Sequence, residues 1–316
     1  MGTAIEWTDT VWNPVTGCNK VSEGCRNCYA FTLHDVRHKA FTEGKKLPRQ
    51  YAKPFSEIQL FPGRLLEPLR WKKPRRVFVN SMSDLFHENV PFEFIEKVFA
   101  IMEEAYWHTF QVLTKRPERM LEFMTWYLNR CSDEGVGYRH ESPKNVWLGV
   151  SVENQRAADE RIPLLLQTPA AVRFLSCEPL LGPLDLREWL HVHNRMCYDD
   201  PGPGHGSPFL VCDEVNRIDW IIVGGESGPN ARPMHPDWVR SLRDQCQAAC
   251  VPFFFKQHGE WIEFQEATNP GRVPHSTLVK AAFHRFEDGT EMLRVGNKHA
   301  GRLLDGREWN EIPNVI

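Results

Sequence analysis

The feature of this sequence that most constrains its fold is an alternation between short apolar runs and longer amphipathic segments. The runs are nearly continuously hydrophobic, which is typical of strands buried on both faces of a sheet. The segments between them have helical spacing, as in Phe94, Val98 and Ile101. Strands that alternate with helices form right-handed βαβ units and a parallel sheet. The six runs lie at 76–80, 109–114, 146–152, 172–177, 220–224 and 251–256.

The alternation predicts an α/β fold class. With the segment that leads into the first cysteines there are about seven units, so we expect a (β/α) barrel or partial barrel of about six to seven parallel strands. The barrel is predicted over residues 1–261, with insertions at 31–73 and 191–216 where the rhythm is interrupted. Residues 262–316 are expected to form an extension packed on the barrel, with a hairpin turn at Asp288-Gly289.

Length and charge narrow the function classes. A chain of 316 residues is normal for a single α/β barrel, and its formal net charge of -3 gives no global attraction to nucleic acid or anionic membrane. No apolar run approaches the roughly 18 to 20 residues needed to span a bilayer, and the N-terminus lacks the apolar core of a signal peptide. We therefore expect a cytoplasmic protein without a membrane partner, and its oligomeric state stays open.

Cysteine usage points to a metal or cluster near the N-terminus. The nine cysteines are an odd number in a large chain, which argues against a disulfide framework. Cys18, Cys25 and Cys28 nevertheless fall close together, with the spacing C-x6-C-x2-C, and Gly17 and Gly24 directly precede two of them. Iron–sulfur clusters are usually held by four thiolates, so three close cysteines would leave one iron open to an exogenous ligand.

The stretch around these cysteines, NPVTGCNKVSEGCRNCYA, resembles the NPxxGC…GCxxCYA signature of radical S-adenosylmethionine (SAM) proteins related to spore photoproduct lyase. It has three extra residues between the first two cysteines. Over nearly the whole chain the sequence also resembles a phage-associated family of unknown function. The strings that carry the second resemblance are IEWTD, WNPVTGC, FVNSMSDLFHE, LTKRPER, LGVSVENQ, FLSCEPLLGP and VGGESGP.

The first resemblance implies a reaction type and two cofactors. Cys18, Cys25 and Cys28 would ligate three irons of a 4Fe–4S cluster, and SAM would chelate the fourth. A reducing electron donor, such as a flavodoxin or ferredoxin, would supply the electron that cleaves SAM to a 5′-deoxyadenosyl radical, which abstracts hydrogen from a substrate. In such enzymes the cofactor carries the chemistry, and the protein positions it.

Polar residues follow every predicted strand, and in parallel barrels functional groups collect at the carboxyl ends of strands. Helix capping is the ordinary explanation of one such residue, but six polar ends in succession favour a shared cavity. By the radical SAM resemblance, Ser81 and Asp84 are candidates for the methionine amino group. Ser151 or Glu153 would contact the ribose. A further set, Gly224, Gly225 and Glu226, resembles the GGE motif of that superfamily, but after the sixth strand instead of the second, and could contact adenosine or substrate.

Cys177 has two interpretations. It ends an apolar strand, and a buried cysteine there is ordinarily a small core residue. The functional alternative is a catalytic thiol that donates a hydrogen atom to a substrate radical, as in spore photoproduct lyase.

Two other function classes stay open. His34 and His38 follow the cysteines and could complete a Cys3His zinc site in a non-catalytic nucleic-acid-binding protein. A metal-free phage accessory protein is the third class.

The substrate class follows from basic residues beside aromatic ones. Arg70, Lys72, Lys73, Arg75 and Arg76 surround Trp71, and the first insertion contains Arg49, Tyr51 and Lys53. Cations beside aromatic rings suit phosphate contact and base stacking, although such a run is ordinarily a solvated face. Nucleic acid is therefore the leading substrate class, ahead of a peptide or a small metabolite.

Overall fold

The computed structural model describes residues 5–130, 141–190 and 217–314. The predicted insertion at 191–216 lies outside the described residues. The described strands, in chain order, are β1 (Thr10–Trp12), β2 (Val15–Thr16), β3 (Gln59–Leu60), β4 (Arg76–Val79), β5 (Thr109–Thr114), β6 (Val146–Ser151), β7 (Val172–Cys177), β8 (Trp220–Gly224), β9 (Phe253–Gln257), β10 (Trp261–Glu263), β11 (Ala282–Arg285) and β12 (Glu291–Arg294).

The helices connect these strands or cover the end of the chain. The described α-helices are α1 (Tyr29–Thr42), α2 (Phe92–Glu104), α3 (Pro117–Asn129), α4 (Gln155–Gln167), α5 (Pro236–Ala248), α6 (Phe264–Thr268), α7 (His275–Leu278) and α8 (Asn297–Ala300). No helix among the described residues is long and apolar enough to cross a membrane.

Seven strands form one sheet in the order β1-β4-β5-β6-β7-β8-β9, and every neighbouring pair is parallel. Among the described residues β1 and β9 do not pair with each other, so the sheet curls into a half-barrel that stays open. The predicted partial barrel of parallel strands is thereby confirmed. Because neighbouring strands are parallel, all seven carboxyl ends lie along one edge of the sheet.

The strands form because their side chains are buried on both faces. Every residue of β6 and β7 is buried, as expected for continuous apolar runs. The outer face packs against the helices, where Phe94, Val98 and Ile101 of α2 are buried as predicted. The inner face carries a separate aromatic cluster, described below.

The predicted first insertion contains the helix of the first βα unit. Helix α1 begins at Tyr29, two residues before the predicted boundary at 31, and the rest of the segment folds back over the cysteine loop. Cys18 N–H donates to the carbonyl of Phe55 at 2.8 Å, and Phe61 N–H donates to the carbonyl of Pro14 at 2.8 Å. The segment therefore supports the loop.

Residues 261–314 include a second, smaller sheet and a segment that covers the β9 edge of the half-barrel. Strands β10, β12 and β11 form an antiparallel sheet, with the predicted hairpin turn at Gly289, where φ is +95°. Asn310 then forms an antiparallel bridge with Phe254 of β9, and Phe255 N–H donates to the carbonyl of Trp309 at 3.0 Å. An unpaired strand edge is a site of aggregation, so this pairing protects β9.

Candidate functional site

A cavity of about 830 Å³ opens at the carboxyl edge of the parallel sheet. It is large enough for a small-molecule cofactor, since ligand pockets measure about 300 to 1,000 Å³. All seven strands contribute a residue at or just beyond their carboxyl ends, and the three clustered cysteines complete the wall. The strand-end lining residues are Asn13, Asn80, Thr114, Ser151, Ser176, Gly225 and Gln257.

The cysteine loop is held against this cavity by its own backbone. Gly17 has φ +98°, and a Cβ there would lie 2.4 Å from the carbonyl oxygen of Glu57, so only glycine fits. Cys25 lies in a short 3-10 helix, and Cys28 directly precedes α1. Cys18, Cys25 and Cys28 are free, half-buried and line the cavity. The structure thus brings the three predicted ligands to one wall.

The surroundings of Cys18 alter the acidity of its thiol. Burial raises the pKa of its thiol to about 11, and the carboxylate of Asp84 adds to the increase. The guanidinium of Arg116 acts in the opposite direction, and its Nη1 donates a hydrogen bond to Cys18 Sγ at 3.8 Å. A bound cation or cluster would favour the thiolate.

Ser81 and Asp84 both line the cavity, but their polar atoms are already engaged. Ser81 Oγ donates to the side chain of Asn13 at 3.3 Å. Asp84 accepts hydrogen bonds from Thr114 Oγ1 at 2.7 Å and from Arg116 Nη1 at 3.0 Å. Asp84 therefore organises the cavity wall beside Cys18, and its contact with an amino group stays a prediction.

The side chains of Ser151, the last residue of β6, and Glu153, two residues later, point in different directions. Ser151 lines the cavity, opposite Ser176 of β7 in the strand register. Glu153 is buried and pairs with Arg161 of α4 at 2.8 Å. Burial raises the pKa of Glu153, but the charges of Arg161 and Lys115 and the hydrogen bonds from Ser22 and Arg161 together hold that pKa below its ordinary value. A Cβ on Gly24 would lie 3.1 Å from the Glu153 carboxyl carbon, so Glu153 packs beneath the cysteine loop.

Gly225 and Glu226 line the cavity, whereas Gly224 does not. A Cβ on Gly225 would lie 2.0 Å from the carbonyl oxygen of His258, so the position requires glycine. Glu226 accepts from Asn27 Nδ2 at 2.9 Å and from Arg232 Nη2 at 2.7 Å. Since Asn27 lies between the second and third cysteines, Glu226 ties the cysteine loop to the end of β8.

Cys177 lies in the hydrophobic core between the sheet and the helices, together with Cys246. Burial raises the pKa of its thiol well above the ordinary value. The cavity is lined by the neighbouring Ser176 and Glu178, because successive side chains of a strand point to opposite faces. This position favours the packing interpretation of Cys177 over the catalytic one.

Comparison with known proteins places the chain in a family. The sequence matches the family described as protein of unknown function (DUF5131) over residues 2–313. The chain belongs to this family. No curated protein matches the sequence significantly.

Solved structures of spore photoproduct lyase are similar to this DUF5131 protein at low identity. A mutant with bound AdoMet and dinucleoside spore photoproduct is 12% identical with a TM-score of 0.40, covering 90% of this chain and 67% of that chain. The lyase complexed with dinucleoside spore photoproduct is 12% identical with a TM-score of 0.36, covering 89% of this chain and 66% of that chain.

The zinc alternative finds little support in the DUF5131 protein. His34 Nε2 lies 2.8 Å from the carbonyl oxygen of Lys53, His38 Nδ1 lies 2.8 Å from that of Tyr51, and neither histidine lines the cavity. Tetrahedral zinc with Zn–S bonds of about 2.3 Å brings thiolates within about 4 Å of one another. Among the described residues, a group with ligand atoms within 4.8 Å is formed by His235, Asp237 and Asp288, and the three cysteines do not form one.

The basic stretch before β4 lies away from the cavity. Arg76 begins β4, so it is at the amino edge of the sheet, and it pairs with Asp9 at 3.3 Å. The guanidinium of Arg75 lies over the Trp71 ring, 5.5 Å from its centroid. The other predicted set, Arg49, Tyr51 and Lys53, is closer to the cavity, because Tyr51 lines it. Lys53 of this set forms an ion pair with Glu57 at 3.0 Å.

The prediction missed an ion pair in the cavity wall. Lys256 Nζ lies 2.7 Å from Glu178 Oε1, and Gln257 Nε2 donates to the same oxygen at 3.4 Å. Glu178 follows the predicted strand 172–177 and Lys256 ends the predicted strand 251–256, so the strand-end argument applied to them as well as to Ser151. Arg116 follows the predicted strand 109–114 and lines the cavity as the strand-end argument expects, but its contact with Cys18 was not predicted.

Proposed function

We propose that this protein is a radical SAM enzyme that holds a 4Fe–4S cluster on Cys18, Cys25 and Cys28. The observation that carries the proposal is the convergence of these three free thiols on one wall of a cavity to which all seven parallel strands contribute. An open parallel sheet with a ligand cavity at its carboxyl edge is a general place for catalysis.

The donor set suits a cluster with one open iron. Among the described cysteines, Cys18, Cys25 and Cys28 line the cavity, while Cys177 and Cys246 are buried elsewhere and Cys250 is exposed away from it. The three thiols are also spread more widely than a single tetrahedral ion requires. When bound, SAM and the reduced cluster supply a carbon-centred radical that abstracts hydrogen from the substrate.

The chain's own residues would bind and orient the cofactor and the substrate, and would exclude water from the cavity. The cavity floor is closed by Trp7 and Phe78, whose ring centroids lie 4.7 Å apart. Ser151 and Ser176 present hydroxyls that can donate to a bound hydroxyl or carboxylate. The Glu178–Lys256 pair offers a carboxylate and an ammonium group, which suit an amino acid or a polar substrate.

Nucleic acid is the substrate class that we propose, with a cytoplasmic flavodoxin or ferredoxin as electron donor. The cations Arg37, Lys115 and Lys256 line the cavity together with Tyr29 and Tyr51. Cations beside aromatic rings suit phosphate contact and base stacking. This set supports the proposal better than the basic stretch at the opposite edge of the sheet.

The test is SAM cleavage by reconstituted protein. Anaerobically reconstituted and reduced protein should convert SAM to 5′-deoxyadenosine, and single-stranded or damaged DNA or RNA oligomers should stimulate the conversion. Cys28→Ala protein, treated identically, is the control for cluster-independent cleavage. Iron-loaded protein that forms no 5′-deoxyadenosine above this control would overturn the proposed reaction, whereas formation without stimulation by any oligomer would overturn only the substrate class.

A further inference from the structure

Arg116 is a buried cation that contacts the cysteine loop from a distant part of the chain. It follows β5, directly before α3, and is 9% exposed. Its Nη1 donates to Cys18 Sγ at 3.8 Å, and its Nη2 donates to the carbonyl of Asn19 at 3.3 Å. One guanidinium therefore contacts both the first cysteine and the backbone that follows it.

Carboxylates fix the orientation of this guanidinium. Asp84 accepts from Arg116 Nη1 at 3.0 Å, and Glu88 accepts from Nε at 3.3 Å. Asp84 is in turn held by Thr114 Oγ1 at 2.7 Å and by the backbone N–H of Lys115 at 3.1 Å. A buried cation with each of its nitrogens bonded has a single orientation, so the contact with Cys18 is preorganised.

We propose that Arg116 is a positioning residue that orients the Cys18 thiolate and raises the reduction potential of the bound cluster. This inference rests on the proposed function, since it requires a cluster on Cys18. It goes beyond the proposed function by naming Arg116, in addition to the three cysteine ligands, as a residue that sets the reduction potential of the cluster.

The physical reason is charge. An external one-electron donor loses one electron, and the cluster with its thiolates gains one unit of negative charge. A fixed guanidinium that donates a hydrogen bond to a ligand sulfur stabilises the more negative state, and hydrogen bonds to sulfur are an established influence on cluster potential. Removal of Arg116 should therefore make the cluster harder to reduce.

The experiment compares two arginines of the same region. Arg119, in the first turn of α3, donates to the backbone carbonyls of His87 and Val90 and not to the cysteine loop. Arg116→Gln, Arg116→Lys and Arg119→Gln should be reconstituted in parallel with the unsubstituted protein. Iron and sulfide are quantified first, and the midpoint potential is then measured by anaerobic redox titration followed by electron paramagnetic resonance.

We expect a more negative midpoint potential in Arg116→Gln, an intermediate value in Arg116→Lys, and no change in Arg119→Gln. Loss of the cluster in Arg116→Gln, with full loading of Arg119→Gln, would also support the positioning role, and Arg116→Lys then reports the potential. Equal potentials in fully loaded Arg116→Gln and Arg119→Gln would overturn the inference while leaving the proposed function intact. Absence of a cluster from the unsubstituted protein would overturn both.

Discussion

The two ends of the half-barrel are filled in different ways. At the amino end, the inner face is packed with rings, and the centroid of Trp220 lies 6.2 Å from that of Trp7 and 5.9 Å from that of Phe174. At the carboxyl end, the same strands carry small polar residues such as Ser151 and Ser176, and a cavity of about 830 Å³ opens. The comparison indicates that the amino end stabilises the fold and that the carboxyl end is available for chemistry.

The largest expected effect concerns the cysteines of the carboxyl end. Replacing Cys18, Cys25 or Cys28 by Ala should abolish cluster binding, because each thiolate would hold a separate iron. Cys250→Ala is the matched control, since Cys250 is exposed and lies away from the cavity. Iron and sulfide are measured after reconstitution. Full cluster retention in any of the three loop variants would contradict the assignment of that residue.

Substitutions at the amino end of the half-barrel should lower the free energy of unfolding instead of affecting cluster binding. Trp220→Ala removes a fully buried ring from the inner cluster and should lower the free energy of unfolding by about 3–5 kcal/mol, as large-to-small core substitutions do. Ser176→Ala, on the neighbouring strand at the carboxyl end, should change it little. Chemical denaturation of both variants measures the contrast. Similar losses in the two would show that the ends are not specialised in this way.

A buried histidine near the carboxyl edge should make stability depend on pH. Burial lowers the pKa of His258 to about 4 from an ordinary value of 6.5. Between these values the unfolded chain binds a proton that the folded chain excludes, so this contribution is complete above about pH 6.5 and is lost as the pH falls toward 4. The loss is up to about 3 kcal/mol.

Denaturation at several pH values tests this dependence. His258→Gln should flatten the pH profile of stability, and His275→Gln, at an exposed position of α7, is the control for a histidine-to-glutamine change on the surface. An unaltered slope in His258→Gln would assign the pH dependence to other groups.

A smaller effect is expected for the hydroxyl of Ser151. If it donates to the bound cofactor, Ser151→Ala should weaken SAM binding about 3- to 10-fold, the range for one hydrogen bond, without loss of iron. Equilibrium binding to the reconstituted, unreduced protein gives the affinity. Unchanged affinity would remove Ser151 from the cofactor site.

The smallest effect is expected for Cys177. Because its thiol is buried in the core, Cys177→Ala should cost about 1 kcal/mol of stability and should leave the identity of the reaction products unchanged. Product analysis and thermal unfolding are performed on the same variant. An altered product with unaltered stability would restore the hydrogen-donor hypothesis.

The sheet was predictable because its signal is local. The run 172–177 is buried at every position of the strand that forms there, and β9 begins only two residues after the predicted start at 251. Likewise, the close spacing of Cys18, Cys25 and Cys28 in the sequence made their convergence predictable. Both signals are local in the sequence, so they can be recognised without knowledge of the folded structure.

The missed features depend on contacts between distant segments. Arg116 meets Cys18 across 98 positions, and Lys256 meets Glu178 across 78, so no local pattern marks either pair. Glu153 was assigned to the cavity from its place after β6, but the pairing with Arg161 directs it beneath the loop. Which way a side chain points beyond the last strand residue is decided by tertiary partners.

Metal content of the unsubstituted protein tests the central claim most directly. Protein reconstituted under anaerobic conditions with iron and sulfide, in the presence of competing zinc, should contain about four irons and four sulfides per chain and show broad absorbance near 400 nm, as a single 4Fe–4S cluster requires. Stoichiometric zinc without sulfide, or neither metal, would contradict the account of the three-cysteine cavity as a cluster site.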